Sequence, residues 1–146
     1  MSSSPHVPLP AIIERLINAI NAHDLDAFMV CIATDYHSVQ PLHPDREFRG
    51  STQVRQNWSA VFAGMPDLRW QVLRWAVHGP TVWIEVQGNG TRVSDGVKIE
   101  LGGVLINEVR DDQIVAARIY FDEITTGAGI DASVAELYDR PAAGPK

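Results

Sequence analysis

The chain has 146 residues, 45% of them apolar and 21% charged, which is the composition of one globular core and too little chain for two comfortable domains. The formal net charge is −6 and the Lys and Arg residues are scattered. No basic cluster is available to hold a phosphate backbone, and an acidic surface disfavours anionic membranes, so neither nucleic acid nor membrane is an expected partner. Cys31 is the only cysteine, which excludes an intrachain disulfide. It sits in the apolar run "AFMVCIA", where an inert buried thiol is expected.

The opening "MSSSPHVPLP" has no apolar stretch behind a basic start and is not read as a secretory signal. No segment approaches the roughly 20 apolar residues of a membrane span. A cytoplasmic protein is therefore expected, with a mobile tail at 1–9, a single domain over 10–139 and a second tail at 140–146. Pro10 occupies a favoured first helical position, and Ile12, Ile13, Leu16, Ile17 and Ile20 follow with helical spacing. Asp24 can cap a second, short helix burying Leu25, Phe28, Met29 and Ile32. "DYHSVQP" reads as a short extended segment stopped by Pro41, and "LHPDREFRG" as a loop.

Ser51 can cap a third helix that carries Val54, Trp58, Val61 and Phe62 on one face and ends at "GMPD". From Leu68 the pattern changes to strands: "LRWQVLRWAVH", "TVWIEVQGNGTR", "VKIELGGVLINEV" and "QIVAARIYFD". Turns are expected at His78-Gly79-Pro80, Asp95-Gly96 and Arg110-Asp111-Asp112. "DASVAELYDR" can add a terminal helical turn or two. Three helices followed by about four long antiparallel strands define an α+β fold, a cone-shaped curved antiparallel sheet wrapped around the N-terminal helices with a pocket between them. Pairing about the Asp111-Asp112 turn sets Asp122 opposite Leu101 or Gly102.

Three stretches, "DLDAFMVCIATDY", "FRGSTQVRQNWSAVFAGMPDLRW" and "VRDDQIVAARIYFD", resemble in order the landmarks of the SnoaL-like branch of the nuclear transport factor 2-like superfamily. The resemblance spans roughly residues 11 to 123. It implies a cone-shaped α+β domain, a homodimer, and a pocket used by ketosteroid isomerases, polyketide cyclases, dehydratases, epoxide hydrolases and non-catalytic binders. Fold does not choose among these.

The resemblance also sets expectations residue by residue. Ketosteroid isomerases carry a base carboxylate where this chain has Gln40 before Pro41, and an amide cannot accept that proton. Limonene-type epoxide hydrolases match at Asp122 but need an Arg and an Asp on the strand that here reads Glu85, Val86, Gln87, Gly88. SnoaL-type cyclases place their acid/base Asp at Asp122, while their partner His has no counterpart in "IELGGVLINEV". Asp122 and His37 are accordingly the candidate catalytic residues. Tyr36, Gln40, Trp58, Trp83, Glu85, Arg118 and Tyr120 are the candidate substrate-binding residues.

For Asp122 the alternative is a strand-end ion pair with Arg118, which would depress its pKa and weaken it as a base. Glu85 shares a strand face with Trp83, and an exposed rim position is the simpler expectation for it. His37 and His43 lack a third ligand at metal spacing, so no metal is expected, and no phosphate or dinucleotide motif implies a cofactor. Two functions remain open. One is a cofactor-independent acid/base enzyme (isomerase, cyclase or hydratase type) acting on a small hydrophobic carbonyl compound. The other is a non-catalytic domain that binds a small hydrophobic ligand or docks a protein.

Overall fold

The structure is a computed structural model and describes residues 7–139. The expected tails at 1–9 and 140–146 lie outside the described residues except for 7–9. That short piece is not loose: the Val7 carbonyl accepts a 2.7 Å hydrogen bond from the Trp75 indole, and Leu9 packs on the core.

Two helices open the domain, α1 (Ala11–Ala22) and α2 (Leu25–Val30). Pro10 stands one residue outside α1, whose buried face is Ile12, Ile13, Leu16, Ile17, Ala19 and Ile20, the set that helical spacing selects. Asp24 caps α2 by accepting from the Ala27 N–H. Next come β1 (Ile32–Val39), a single 3-10 turn at Pro44–Arg46, β2 (Phe48–Arg49) and α3 (Ser51–Gly64). Ser51 is the first residue of α3 and not its cap. Gly50 holds that position at φ 99°, and no side chain accepts from the helix start.

Four long strands follow, β3 (Arg69–His78), β4 (Thr81–Thr91), β5 (Lys98–Arg110) and β6 (Gln113–Glu123), and then α4 (Ile130–Asp139). The sheet is curved and unclosed, with strand order β2-β1-β6-β5-β4-β3. β3 to β6 form the expected antiparallel meander, whereas β1 joins β6 in parallel, Ile32 against Ile114 and Val39 against Arg118. A short segment read alone does not reveal a partner some eighty residues away.

The inner face of the sheet packs on α1, α2 and α3 through Val82, Ile84, Val86, Leu105, Ile114 and Ala117. Asn21 fastens α1 to the edge strand: its side-chain amide donates to the Trp70 carbonyl at 3.0 Å and accepts from the Trp70 N–H at 2.7 Å. These bonds satisfy backbone groups that an edge strand otherwise leaves open. α4 buries none of its side chains and leaves Ile130, Val134, Leu137 and Tyr138 exposed. No helix among the described residues is long and apolar enough to cross a membrane.

Candidate functional site

β1 and β6 create an opening because they end at different heights. Pro41 lacks a backbone N–H and halts β1 after Val39, while β6 runs on to Glu123. Below that opening, between the helices and the inner face of the sheet, lies a cavity of about 410 Å³. Its walls are mostly apolar: Leu16, Ile20, Phe28, Val54, Trp58, Trp70, Leu105, Ile119 and Phe121. Four of these rings touch in a chain, Phe28–Trp58 at 4.6 Å, Trp58–Trp70 at 5.4 Å and Trp70–Phe121 at 4.8 Å between centroids.

Glycine makes this wall geometrically accessible at one point. A Cβ at Gly88 would lie 2.9 Å from Trp70 Cδ1 and 3.1 Å from Nε1, so the indole can rest on β4 only because that position is bare. The Trp70 indole Nε1–H is buried and has no acceptor among the described residues. Leaving such a donor unpaired costs about 1–3 kcal/mol.

Polar groups enter at two levels. Deep in the cavity, Tyr36 and Ser38 project from β1 and Asn107 from β5; all three are buried. Burial pushes the Tyr36 phenol upward, against a smaller opposing effect of its hydrogen bond with Ser38. Asn107 donates to the Val82 carbonyl at 3.3 Å. At the mouth stand Gln40, Arg46, Asn57 and Asp122. The Arg46 guanidinium donates to Gln40 Oε1 at 3.1 Å.

Asp122 lies opposite Gly102, one of the two partners, Leu101 and Gly102, that the turn allows. Its side chain remains 65% exposed and lies 3.3 Å from His43 Nε2, not against Arg118. The Glu123 N–H, 2.8 Å from Oδ1, is the main cause that lowers the carboxyl pKa below its usual range; Arg46 and His43 add to it.

Of the candidate residues, the cavity gathers Asp122, Tyr36, Gln40 and Trp58. His37 is not among its lining residues. Tyr36, Ser38 and Gln40 alternate into the cavity, so His37 lies on the other face of β1, where Nε2 is 2.5 Å from Glu47 Oε2. Trp83 and Glu85 belong to the opposite face of β4 from buried Val82, Ile84 and Val86; Trp83 is 44% exposed and Glu85 binds Arg74 at 2.7 Å. Arg118 and Tyr120 likewise alternate with cavity-lining Ala117, Ile119 and Phe121. The period of two decides all four placements, and the ambiguity in β4 arose because Trp83 is itself apolar.

Arg46, His43, Ser38, Asn57, Asn107 and Trp70 were not singled out as site residues. Asn107 had a usable signal, since it shares the strand face of Leu101 and Leu105 in "LGGVLIN". His43 and Arg46 had none, because a loop residue's reach toward a strand eighty positions later is tertiary.

Residues 13–117 match the SnoaL-like domain family, and the chain belongs to it. The matched segment ends five residues before Asp122 (122 − 117). No protein of curated function matches in sequence. Among solved structures, a ketosteroid isomerase-like fold protein from Catenulispora acidiphila, in complex with trimethylamine, superposes with a TM-score of 0.68 at 16% identity, over 77% of this chain and 86% of that one. IdmH, a candidate polyketide cyclase from Streptomyces antibioticus, gives 0.65 at 21% identity over 77% and 88%. A LEH-like epoxide hydrolase from M. tuberculosis gives 0.65 at 18% identity over 76% and 80%. These likenesses show the nuclear transport factor 2-like cone fold.

Proposed function

We propose that this protein is a cofactor-independent acid/base enzyme that takes a small hydrophobic carbonyl compound into the cavity and moves a proton at its mouth. The observation that carries the reading is the His43–Asp122 contact at the rim of a mostly apolar 410 Å³ cavity. A carboxylate with a lowered pKa is a weak base by itself, but it can orient an imidazole, the side chain suited to exchanging protons near neutral pH. His43 uses Nε2 toward Asp122, and its Nδ1 has no partner among the described residues.

In the proposed step His43 removes a proton from the carbon beside the carbonyl. The C–H electron pair moves into the enolate, whose oxygen is stabilised by Arg46, and the proton returns from His43 to the same or another carbon. Asp122 holds the imidazole throughout. Tyr36, Gln40 and Trp58 position the ligand body. The unpaired Trp70 indole N–H beside the cavity supports a ligand bearing an acceptor oxygen.

Acetylnaphthalene in D₂O provides the test, with exchange of its methyl protons followed by proton NMR. Wild-type protein is expected to accelerate exchange, and Asp122→Asn and His43→Gln to lose about a hundredfold of that acceleration. Binding without exchange would leave the second reading, a non-catalytic ligand-binding domain, which the exposure and lowered pKa of Asp122 favour. A homodimer is part of the same proposal, formed through the outer sheet face where Trp83, Val104, Ile106 and Tyr120 stand together. Exposed tryptophan is costly on a monomer surface and common at interface centres.

A further inference from the structure

A second, shallower cavity of about 190 Å³ lies beside the mouth, along the stretch of β6 that β1 leaves uncovered. Leu42 and Ile124 flank it, Gly102 and Tyr120 contribute to its lining, and His43 and Asp122 stand in it. Leu42 is 71% exposed and Ile124 44%, an unusual state for two aliphatic side chains that face the same hollow. The groove is continuous with the main cavity: Ile119, Phe121 and Asp122 line both. Asp122 therefore marks the partition between two apolar spaces of unequal size and depth.

A proton-moving imidazole held by Asp122 at such a partition suits a substrate whose reacting carbon also lies there. A compound held wholly inside the main cavity would present its carbonyl to Tyr36, Ser38 and Asn107 and leave Leu42 and Ile124 with nothing to cover. We infer that the groove is a binding subsite for a second apolar arm of the ligand. The substrate class is then a ketone or acyl compound with a bulky apolar body on one side of the carbonyl and a short unbranched alkyl arm on the other. The body fills the main cavity, the carbonyl oxygen sits at Arg46 with its α-carbon beside His43, and the alkyl arm runs out between Leu42 and Ile124. This inference rests on the proposed use of the cavity as a ligand site and narrows it.

Isothermal titration with acetyl-, butanoyl- and hexanoylnaphthalene separates the two claims. If the arm lies in the groove, affinity for wild-type protein rises about twofold per added methylene, the value for a chain buried on one side only. Leu42→Asn and Ile124→Asn, both at exposed positions that the fold tolerates, then flatten this dependence and leave acetylnaphthalene binding unchanged. A wild-type affinity independent of chain length, or a chain-length dependence that survives both substitutions, overturns the subsite. Failure of acetylnaphthalene itself to bind the folded wild-type protein removes the cavity reading and the subsite with it.

Discussion

Replacing Gly103 by alanine tests how the sheet is closed beside the site. Gly103 pairs with Phe121 and has φ +149°, a conformation that side-chain-bearing residues rarely adopt. A Cβ placed there would lie 1.9 Å from the Tyr120 carbonyl oxygen and 2.7 Å from the Phe121 Cα, both backbone atoms that cannot rotate away. The backbone strain costs about 1–3 kcal/mol. Parting β5 from β6 to relieve the contact gives up one or two ladder hydrogen bonds at about 1 kcal/mol each.

The expected loss is therefore about 4 kcal/mol, a large share of the 5–15 kcal/mol typical of a domain, and a fall in Tm of about 8–16 °C. Gly102→Ala is the internal control. Its Cβ would meet Ile124 Cδ1 at 3.0 Å, the far end of a flexible side chain, so it should cost less than about 1 kcal/mol. Urea denaturation monitored by tryptophan fluorescence and circular dichroism measures both. If Gly103→Ala falls within about 1 kcal/mol of wild type, or if Gly102→Ala is the more damaging, the assigned register and backbone geometry are wrong.

Further outcomes follow from other contacts. Asn21→Ala removes both hydrogen bonds to Trp70 and should cost about 2 kcal/mol and lower Tm by about 4–8 °C; an unchanged urea midpoint would mean water replaces the amide without penalty. Asp67 accepts the Thr91 N–H at 2.7 Å, which is the main cause of its lowered pKa. The unfolded chain then binds the proton first as pH falls, so this contribution is present above about pH 4 and is lost as pH drops through the folded-state value. Asp67→Asn should flatten that acid limb in urea midpoints measured from neutral to acid pH, and an identical limb would assign it to other carboxylates. Trp83→Glu should convert the proposed dimer to a folded monomer in sedimentation velocity. A wild-type monomer at micromolar concentration, or a dimer that persists in the variant, rejects the outer face as the interface.

Local chemistry was legible wherever it decides locally. The α1 periodicity, the Asp24 cap and the turns at Gly79, Gly96 and Asp111-Asp112 place every long element. The Asp111-Asp112 turn even narrows the partner of Asp122 to Leu101 or Gly102, of which Gly102 is the one observed. What remained hidden depends on pairing across long sequence distance. The parallel alignment of β1 with β6 decides that Tyr36, Ser38 and Gln40, and not His37, face the cavity. The loop that carries His43 and Arg46 reaches Asp122 only once that alignment exists. In β4, the apolar Trp83 on the otherwise polar face of Thr81, Glu85 and Gln87 left Trp83 and Glu85 undecided until the burial of Val82, Ile84 and Val86 settled which side faces the helices.

The parallel β1–β6 pair has a consequence for the order of events in folding. The meander from β3 to β6 is joined by tight turns, so its contacts are local and its loops close at little entropic expense. Setting Ile32 against Ile114 requires closing a much longer span of chain, and the mouth of the cavity is assembled by that late step. By the same ordering in reverse, β1 and the His43–Arg46 loop are expected to open before the β3–β6 meander. Amides of β1 should accordingly exchange with deuterium faster than those of β4 and β5, and a ligand seated at the mouth slows β1 selectively by closing the seam last formed.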